Sequence, residues 1–263
     1  THNLDPDAVR RMITPRTSGI IGVHLWGRPA PDAELKAIAD EHGLQLLYDA
    51  AHAFDASHEG RKIGAMGRCE VFSFHATKVF NTFEGGAIVC PDAKTRQRIN
   101  YLKNFGFANE VTVVAPGING KMSEVNAAFG LLQLKHVDRA LARRREIDRT
   151  YREILTDLPG IRCVEQAGQR KANCAYFPIL VGPEYPLSRD ELYQTLKDQN
   201  IFGRRYFYPL ISAFPMYRGL TSAAPDNLPT AVATAERVIC LPIYPDLTNE
   251  QVKAICTVIR LPG

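Results

Sequence analysis

A single lysine set between two apolar, strand-like runs constrains this chain more than any other feature. Residues 69–90 read C-E-V-F-S-F-H-A-T-K-V-F-N-T-F-E-G-G-A-I-V-C. Val71-Phe72, bounded by polar residues, predicts a short buried strand. His75-Ala76-Thr77 then makes a polar turn ahead of Lys78. Glu84-Gly85-Gly86 predict a sharp turn, and residues 87–90 a second strand. A lysine held between buried strands loses hydration. Its pKa falls, and the free amine becomes available as a nucleophile or Schiff-base former. The alternative is a lysine on a surface loop.

A second stretch bears on that choice. Residues 44–53, L-Q-L-L-Y-D-A-A-H-A, read as an apolar strand ending in Asp49, with His52 three residues later. A carboxylate at the carboxyl end of an inner strand sits where open α/β sheets bind ligands. One buried Asp and one buried Lys suggest pyridoxal 5′-phosphate (PLP): the lysine forms the Schiff base, and the acid keeps the pyridinium nitrogen protonated so that the ring acts as an electron sink. A strand-end Asp capping the next turn is the structural alternative for Asp49.

Several ordered motifs, more specific than one lysine, carry a resemblance. D-A-A-H (49–52), S-F-H-A-T-K (73–78) and E-G-G-A (84–87) resemble the DegT/DnrJ/EryC1/StrS family of PLP-dependent sugar-nucleotide aminotransferases. P-R-T-S-G-I-I-G-V-H-L-W-G near the start, N-G-K-M-S-E-V-N-A-A in the middle and L-P-I-Y-P-D-L-T near the end extend the likeness along the chain. The resemblance implies an α/β chain of the fold type I aminotransferase kind. Residues 1–138 would form a PLP-binding large domain with a mostly parallel sheet. Residues 139–263 would form a smaller α+β domain that includes a long linking helix. It also implies about a hundred further residues upstream of Thr1, so the large domain is expected to be N-terminally incomplete and to expose apolar sheet surface.

The same resemblance implies roles. Lys78 anchors the cofactor and shuttles a proton between the amino-acid Cα and cofactor C4′. A branch of the family with histidine there dehydrates sugars, so lysine implies amino transfer, with pyridoxamine 5′-phosphate as the second cofactor form. Asp49 pairs with the pyridine nitrogen. His52 stands near the cofactor's 3′-oxygen or ring, unless it is a half-buried histidine bonded to backbone. Ser73 donates to the cofactor phosphate. Asn119 and Lys121, in G-I-N-G-K-M (117–122), reach the phosphate and substrate of a neighbouring subunit, which implies a homodimer with shared sites. The reaction implied moves an amino group from glutamate to a keto sugar nucleotide, with a lysine loop like that of members acting at C4 of a dTDP-4-keto-6-deoxyhexose. The rival expectation is a truncated, non-catalytic or split member of the same family.

Composition narrows the remaining classes. A chain of 263 residues with 45% apolar and 23% charged content suits an ordinary globular protein. No run approaches the roughly 18 apolar residues of a membrane span. The net charge of +4 is mild and does not argue for nucleic acid. Six cysteines without a C-x-x-C pair predict reduced core thiols, a cytoplasmic location and no metal centre. No G-x-G-x-x-G follows a strand, which disfavours a Rossmann dehydrogenase.

Periodicity supplies the elements. A strand tail from Thr1 leads to a helix capped by Asp5, and residues 19–23 form a strand. His24 and Trp26 follow, near the cofactor or as an aromatic plug. Asp32 caps a helix ended by Gly43. Residues 55–67 make a polar loop or hairpin, 92–105 a basic helix, and 107–120 a loop long enough to be functional. A helix from Ser123 runs into Arg139, Arg143, Arg144, Arg145 and Arg149, read as a solvated face. Beyond Gly160 come a strand (175–181), a helix (188–199), an aromatic strand (201–208) whose Tyr208 lines the sugar side or the core, an irregular loop (212–228) and helices at 230–237 and 249–259.

Overall fold

The computed structural model describes residues 2–165 and 172–261. Thr1, where the expected strand tail begins, lies outside the described residues; residues 2–4 form no strand. The chain divides into two units, one of residues 3–139 with 172–173, the other of residues 140–165 with 174–261.

In the first unit α1 (Pro6–Met12) starts as its sequence requires: Asp5 accepts the Asp7 N–H at 3.1 Å and proline occupies the first turn. β1 (Gly19–Val23), α2 (Asp32–His42) and β2 (Gln45–Asp49) form a strand–helix–strand unit whose strands run parallel. Gly43 ends α2 at φ 65°, returning its N–H to the last turn. Asp32 is not the cap expected of it; Pro31 holds that position. Asp32 is buried and accepts hydrogen bonds from the Tyr48 hydroxyl (2.9 Å) and the Arg61 guanidinium (3.2 Å), so its oxygens are already committed. The hairpin β3 (Ser57–His58)–β4 (Arg61–Lys62) leads to β5 (Cys69–Ser73), parallel to β2, and β6 (Gly86–Val89), antiparallel to β5. The sheet order is β1-β2-β5-β6.

One sheet face packs Ile20, Leu46, Tyr48 and Phe72 against Leu35, Ile38 and Ala39 of α2. Full burial of each such large side chain stabilises by about 2 kcal/mol. The other face leaves Ile21, Val23, Val71 and Ile88 exposed, Ile21 by 65%. β1, β2 and β5 therefore alternate and are half-buried, and β6 is largely exposed, where the sequence reading expected β5 and β6 to be buried outright. α3 (Ala93–Lys103) is capped by Asp92, and α4 (Glu124–Leu134) by Ser123. Val125, Leu131 and Leu132 of α4 are exposed.

The division between units falls within the first turn of α5 (Val137–Leu155). The second unit continues with β7 (Ile161–Cys163), β8 (Phe177–Val181), α6 (Arg189–Asp198), α7 (Pro229–Ala235), β9 (Val238–Leu241) and α8 (Asn249–Arg260). Its antiparallel sheet runs β7-β8-β9; β7 and β9 lack a clear period and escaped the sequence reading. Ile147, Tyr151, Phe177, Leu192, Ile239 and Ile255 belong to its core. Arg144 departs from the solvated face assigned to it. It falls on the stripe Leu141–Arg144–Ile147–Tyr151, is buried, and donates to the Ile243 carbonyl at 2.8 Å; burial lowers its pKa to about 10. Residues 201–208 are not a strand. Only Arg204 pairs, with Cys240, because the Tyr208 N–H turns back to the Arg205 carbonyl at 2.7 Å. Tyr208 is half-exposed, with the Arg189 guanidinium 4.6 Å over its ring, so it does not belong to the core. Among the described residues no helix is long and apolar enough to cross a membrane.

Candidate active site

The three parallel strands end at one sheet edge, where open α/β sheets bind ligands. β1 is followed by His24, β2 ends on Asp49 and β5 on Ser73, and the register aligns Val23, Asp49 and Val71 side by side. Lys78 sits in the segment between β5 and β6. Backbone bonds shape this segment: Phe74 N–H to the Gly85 carbonyl (2.8 Å), Thr82 N–H to the Phe74 carbonyl (2.9 Å) and Lys78 N–H to the His75 carbonyl (2.9 Å). Aromatic anchors hold it down. Phe80 is buried, stacked on Phe54 at 4.6 Å and edge-on to Phe74 at 4.8 Å. Asn126 of α4 donates its side-chain amide to the Thr82 and Glu84 carbonyls.

The Asp49 charge acts on both the Lys78 amine and the His52 imidazole, and the Lys78 charge acts on His52. Partial burial pulls the Lys78 pKa below the usual lysine range, and the Asp49 charge partly offsets it. Burial, then the Lys78 charge, lowers His52 to about 4, against the opposing pull of Asp49. Lys78 thus combines both sequence readings: it lies on a loop and is half-buried. Asp49 differs from expectation in being exposed. The cause is strand parity, since Asp49 points to the same face as the exposed Val23 and Val71. Asp49 Oδ1 accepts the Ala51 N–H at 2.9 Å, the turn-capping contact open to it from sequence.

His52 Nδ1 accepts the Trp26 N–H at 3.3 Å, and its carbonyl accepts the Asn173 side-chain amide at 2.8 Å. Ser73 Oγ accepts the His75 N–H at 3.3 Å. His24 and Trp26 are both buried, as the plug reading expected. Asn119 and Lys121 make their contacts at the end of α3. Asn119 bridges Asn104, and Lys121 Nζ donates to Asn104 Oδ1 at 2.9 Å, 4.7 Å above the Phe105 ring. Both are exposed. The second unit holds a cavity of about 350 Å³ lined by Asn200, Ile201, Phe202, Pro242, Tyr244 and Gln251, none of them a sequence-expected site residue.

Sequence reading missed Asn126, Asn173, Phe54 and the Trp26 amide. Asn126 lies in the quoted S-E-V-N-A-A motif and Trp26 in the quoted V-H-L-W-G stretch; Asn173 and Phe54 carry no local signal. Gly27, beside His52, has φ 81°, and a Cβ there would collide with Asn173 Oδ1 and lie 2.8 Å from the His52 carbonyl oxygen. Gly27→Ala is expected to cost about 1–2 kcal/mol of stability in urea unfolding. An unchanged midpoint would show that the loop accommodates the methyl group.

Comparison with known proteins fits this geometry. The DegT/DnrJ/EryC1/StrS aminotransferase family model matches residues 1–260. A dTDP-4-amino-4,6-dideoxy-D-glucose transaminase of Escherichia coli is 49% identical over 97% of this chain and 69% of its own length. A Shigella dysenteriae protein of the same name is 46% identical over 96% of this chain and 68% of its own. The crystal structure of DesI in the presence of its TDP-sugar product is 41% identical, with a TM-score of 0.93, covering 99% of this chain and 66% of that one. The chain thus spans about two thirds of the length of these relatives. The fold is that of type I PLP-dependent sugar aminotransferases, and aminotransferases of this family depend on PLP in general. On its motifs, its fold and these matches, the chain belongs to the DegT/DnrJ/EryC1/StrS aminotransferase family.

Proposed function

We propose that this chain is a PLP-dependent aminotransferase that moves an amino group from glutamate to a keto sugar nucleotide, at C4 of a dTDP-4-keto-6-deoxyhexose. The observation that carries this reading is the placement of Lys78 after β5 and Asp49 at the end of β2 at a single sheet edge, where the Asp49 charge acts on the Lys78 amine. The substrate rests on the transaminase names of the two enterobacterial relatives.

The residues fit PLP. A half-buried amine with a lowered pKa suits covalent capture of the aldehyde, a strand-end carboxylate suits the ring nitrogen, and the Ser73 hydroxyl at the same edge suits the phosphate. When bound, PLP supplies an electron sink next to the donor Cα. Lys78 Nζ would hold the cofactor and, once displaced by the donor amine, would move the proton released at Cα to C4′, and in the reverse order on the sugar half-reaction. Asp49 would keep a proton at the ring nitrogen.

A second copy of the chain suits the exposed apolar residues Val111, Ile118, Val125, Leu131 and Leu132, flanking Asn119 and Lys121, in a homodimer with shared sites. Residues 1–138 then serve as the cofactor-binding domain and 139–263 as the small domain. Free thiols at all six cysteines suit the cytoplasm. The non-catalytic reading is not favoured, because both enterobacterial relatives are transaminases by name.

The test combines the chain with PLP, dTDP-4-keto-6-deoxyglucose and 15N-labelled glutamate, and follows the label by mass spectrometry. Label in a nucleotide-linked amino sugar is expected. A chain that binds PLP yet leaves the label in glutamate with every keto sugar nucleotide tried would overturn the assignment.

A further inference from the structure

The loop from His24 to Ala30 is closed by a side chain. His24 Nδ1 accepts the Ala30 N–H at 2.9 Å, while the His24 N–H donates to the Asp49 carbonyl at 3.0 Å. The His24 ring is fully buried and stacks on Tyr48 at 4.7 Å and 18°. With Nδ1 accepting, the neutral ring carries its proton on Nε2, which faces Glu70 Oε2 at 3.9 Å. Glu70 is held in turn by the Gly64 N–H (2.6 Å) and the Met66 N–H. His24 is thus held at Nδ1 and on its face, while Nε2 makes no hydrogen bond among the described residues and only approaches Glu70.

The closed loop has one consequence at the candidate active site. Within it, Leu25–Gly27 make a tight 3-10 turn with Trp26 at φ 56°, and this turn aims the Trp26 N–H at His52 Nδ1, 3.3 Å away. From the opposite side Asn173 binds the His52 carbonyl at 2.8 Å. An imidazole that accepts at Nδ1 keeps its remaining proton on Nε2.

We propose that His24 is a positioning residue: by closing loop 24–30 it holds the Trp26 N–H on His52 Nδ1, and so fixes His52 as an Nε2–H donor to the cofactor's 3′-oxygen. The inference rests on the assignment of Lys78 and Asp49 to a PLP site. Burial and the neighbouring Lys78 charge keep the imidazole neutral at pH 7, which leaves a single donor proton and no freedom to swap tautomers. A fixed neutral donor beside the Lys78 amine orients a ligand oxygen without adding a second positive charge to the site.

The experiment uses the deuterated, 15N-labelled chain without cofactor, so it stands independently of catalysis. Nitrogen–nitrogen couplings across hydrogen bonds are expected between Ala30 N and His24 Nδ1, and between Trp26 N and His52 Nδ1. Both rings are expected to carry their proton on Nε2 at pH 7. A His52 ring that is charged, or protonated on Nδ1, overturns the proposal. His24→Leu, similar in bulk but without an acceptor, is expected to speed hydrogen exchange of the Trp26 amide at least tenfold and to mix the His52 tautomers. His24→Asn, which keeps an acceptor near the Nδ1 position, is expected to restore both. A folded His24→Leu with wild-type exchange and tautomer sinks the positioning role; should either variant unfold, the wild-type couplings decide. Added PLP is expected to shift the His52 Nε2–H resonance. PLP that binds without that shift refutes the donor role, whereas failure of PLP to bind refutes the functional reading and leaves the tautomer result standing.

Discussion

Lys78→Ala is expected to lower kcat/KM for amino transfer by at least about a thousandfold, the combined loss of a covalent anchor and a proton shuttle. In the proposed function one atom, Nζ, serves both roles. His52 sits nearby but does not replace it as a base, because its Nδ1 already accepts the Trp26 N–H. Lys78→Arg should not rescue, because a guanidinium neither gives up its proton at neutral pH nor forms the covalent link. The same change should leave stability within about 0.5 kcal/mol of wild type, since Lys78 is only half-buried and the loop is held by Phe80, Phe74 and Asn126. Activity and urea midpoint measured together separate the two effects. A Lys78→Ala protein that keeps more than about a tenth of the wild-type rate removes Lys78 from the chemistry.

Acid is expected to destabilise the fold between about pH 6.5 and pH 4 through His24. Folding lowers its pKa from 6.5 to about 4, chiefly by burial, with Asp32 and Asp49 opposing and His58 adding to the shift. As pH falls through 6.5 the unfolded chain takes up a proton that the folded chain refuses until about 4. Stability is therefore fully present above the unfolded value and declines across that window, by up to about 3 kcal/mol for this one group. His52, shifted the same way but only partly buried, adds a smaller share. Glu70 works in the opposite sense, because burial raises its carboxyl pKa and the folded state gains its proton first. Urea midpoints at pH 7 and pH 4.5 for wild type and His24→Asn measure the effect. The variant has no imidazole to titrate, so its midpoint should fall less. Parallel curves would mean that His24 titrates normally in the folded chain.

Local signals accounted for much of this chain. The Asp5 and Ser123 caps, the Gly43 stop and the capping boxes of α6 and α8 all stand where side-chain chemistry places them. Errors arose where a residue's partner is distant in sequence. Asp32 looks like a cap until the Tyr48 hydroxyl and Arg61 claim its oxygens. Arg144 looks solvated until the Ile243 carbonyl, almost a hundred positions away, takes its proton donor. The strand expected at 201–208 has the right residue types, yet its backbone donor closes a turn.

The strand–helix–strand order, and the choice of Lys78, Asp49, His52 and Ser73 as candidates, came from sequence alone, because motifs and apolar periodicity are local properties of the chain. The exposure of Asp49, the half-burial of Lys78, and the ring closed by His24 that turns the Trp26 amide onto His52 were decided only by tertiary structure. Strand parity, desolvation and hydrogen-bond partnership depend on which segments meet in space, and no window along the sequence contains both sides of such a meeting.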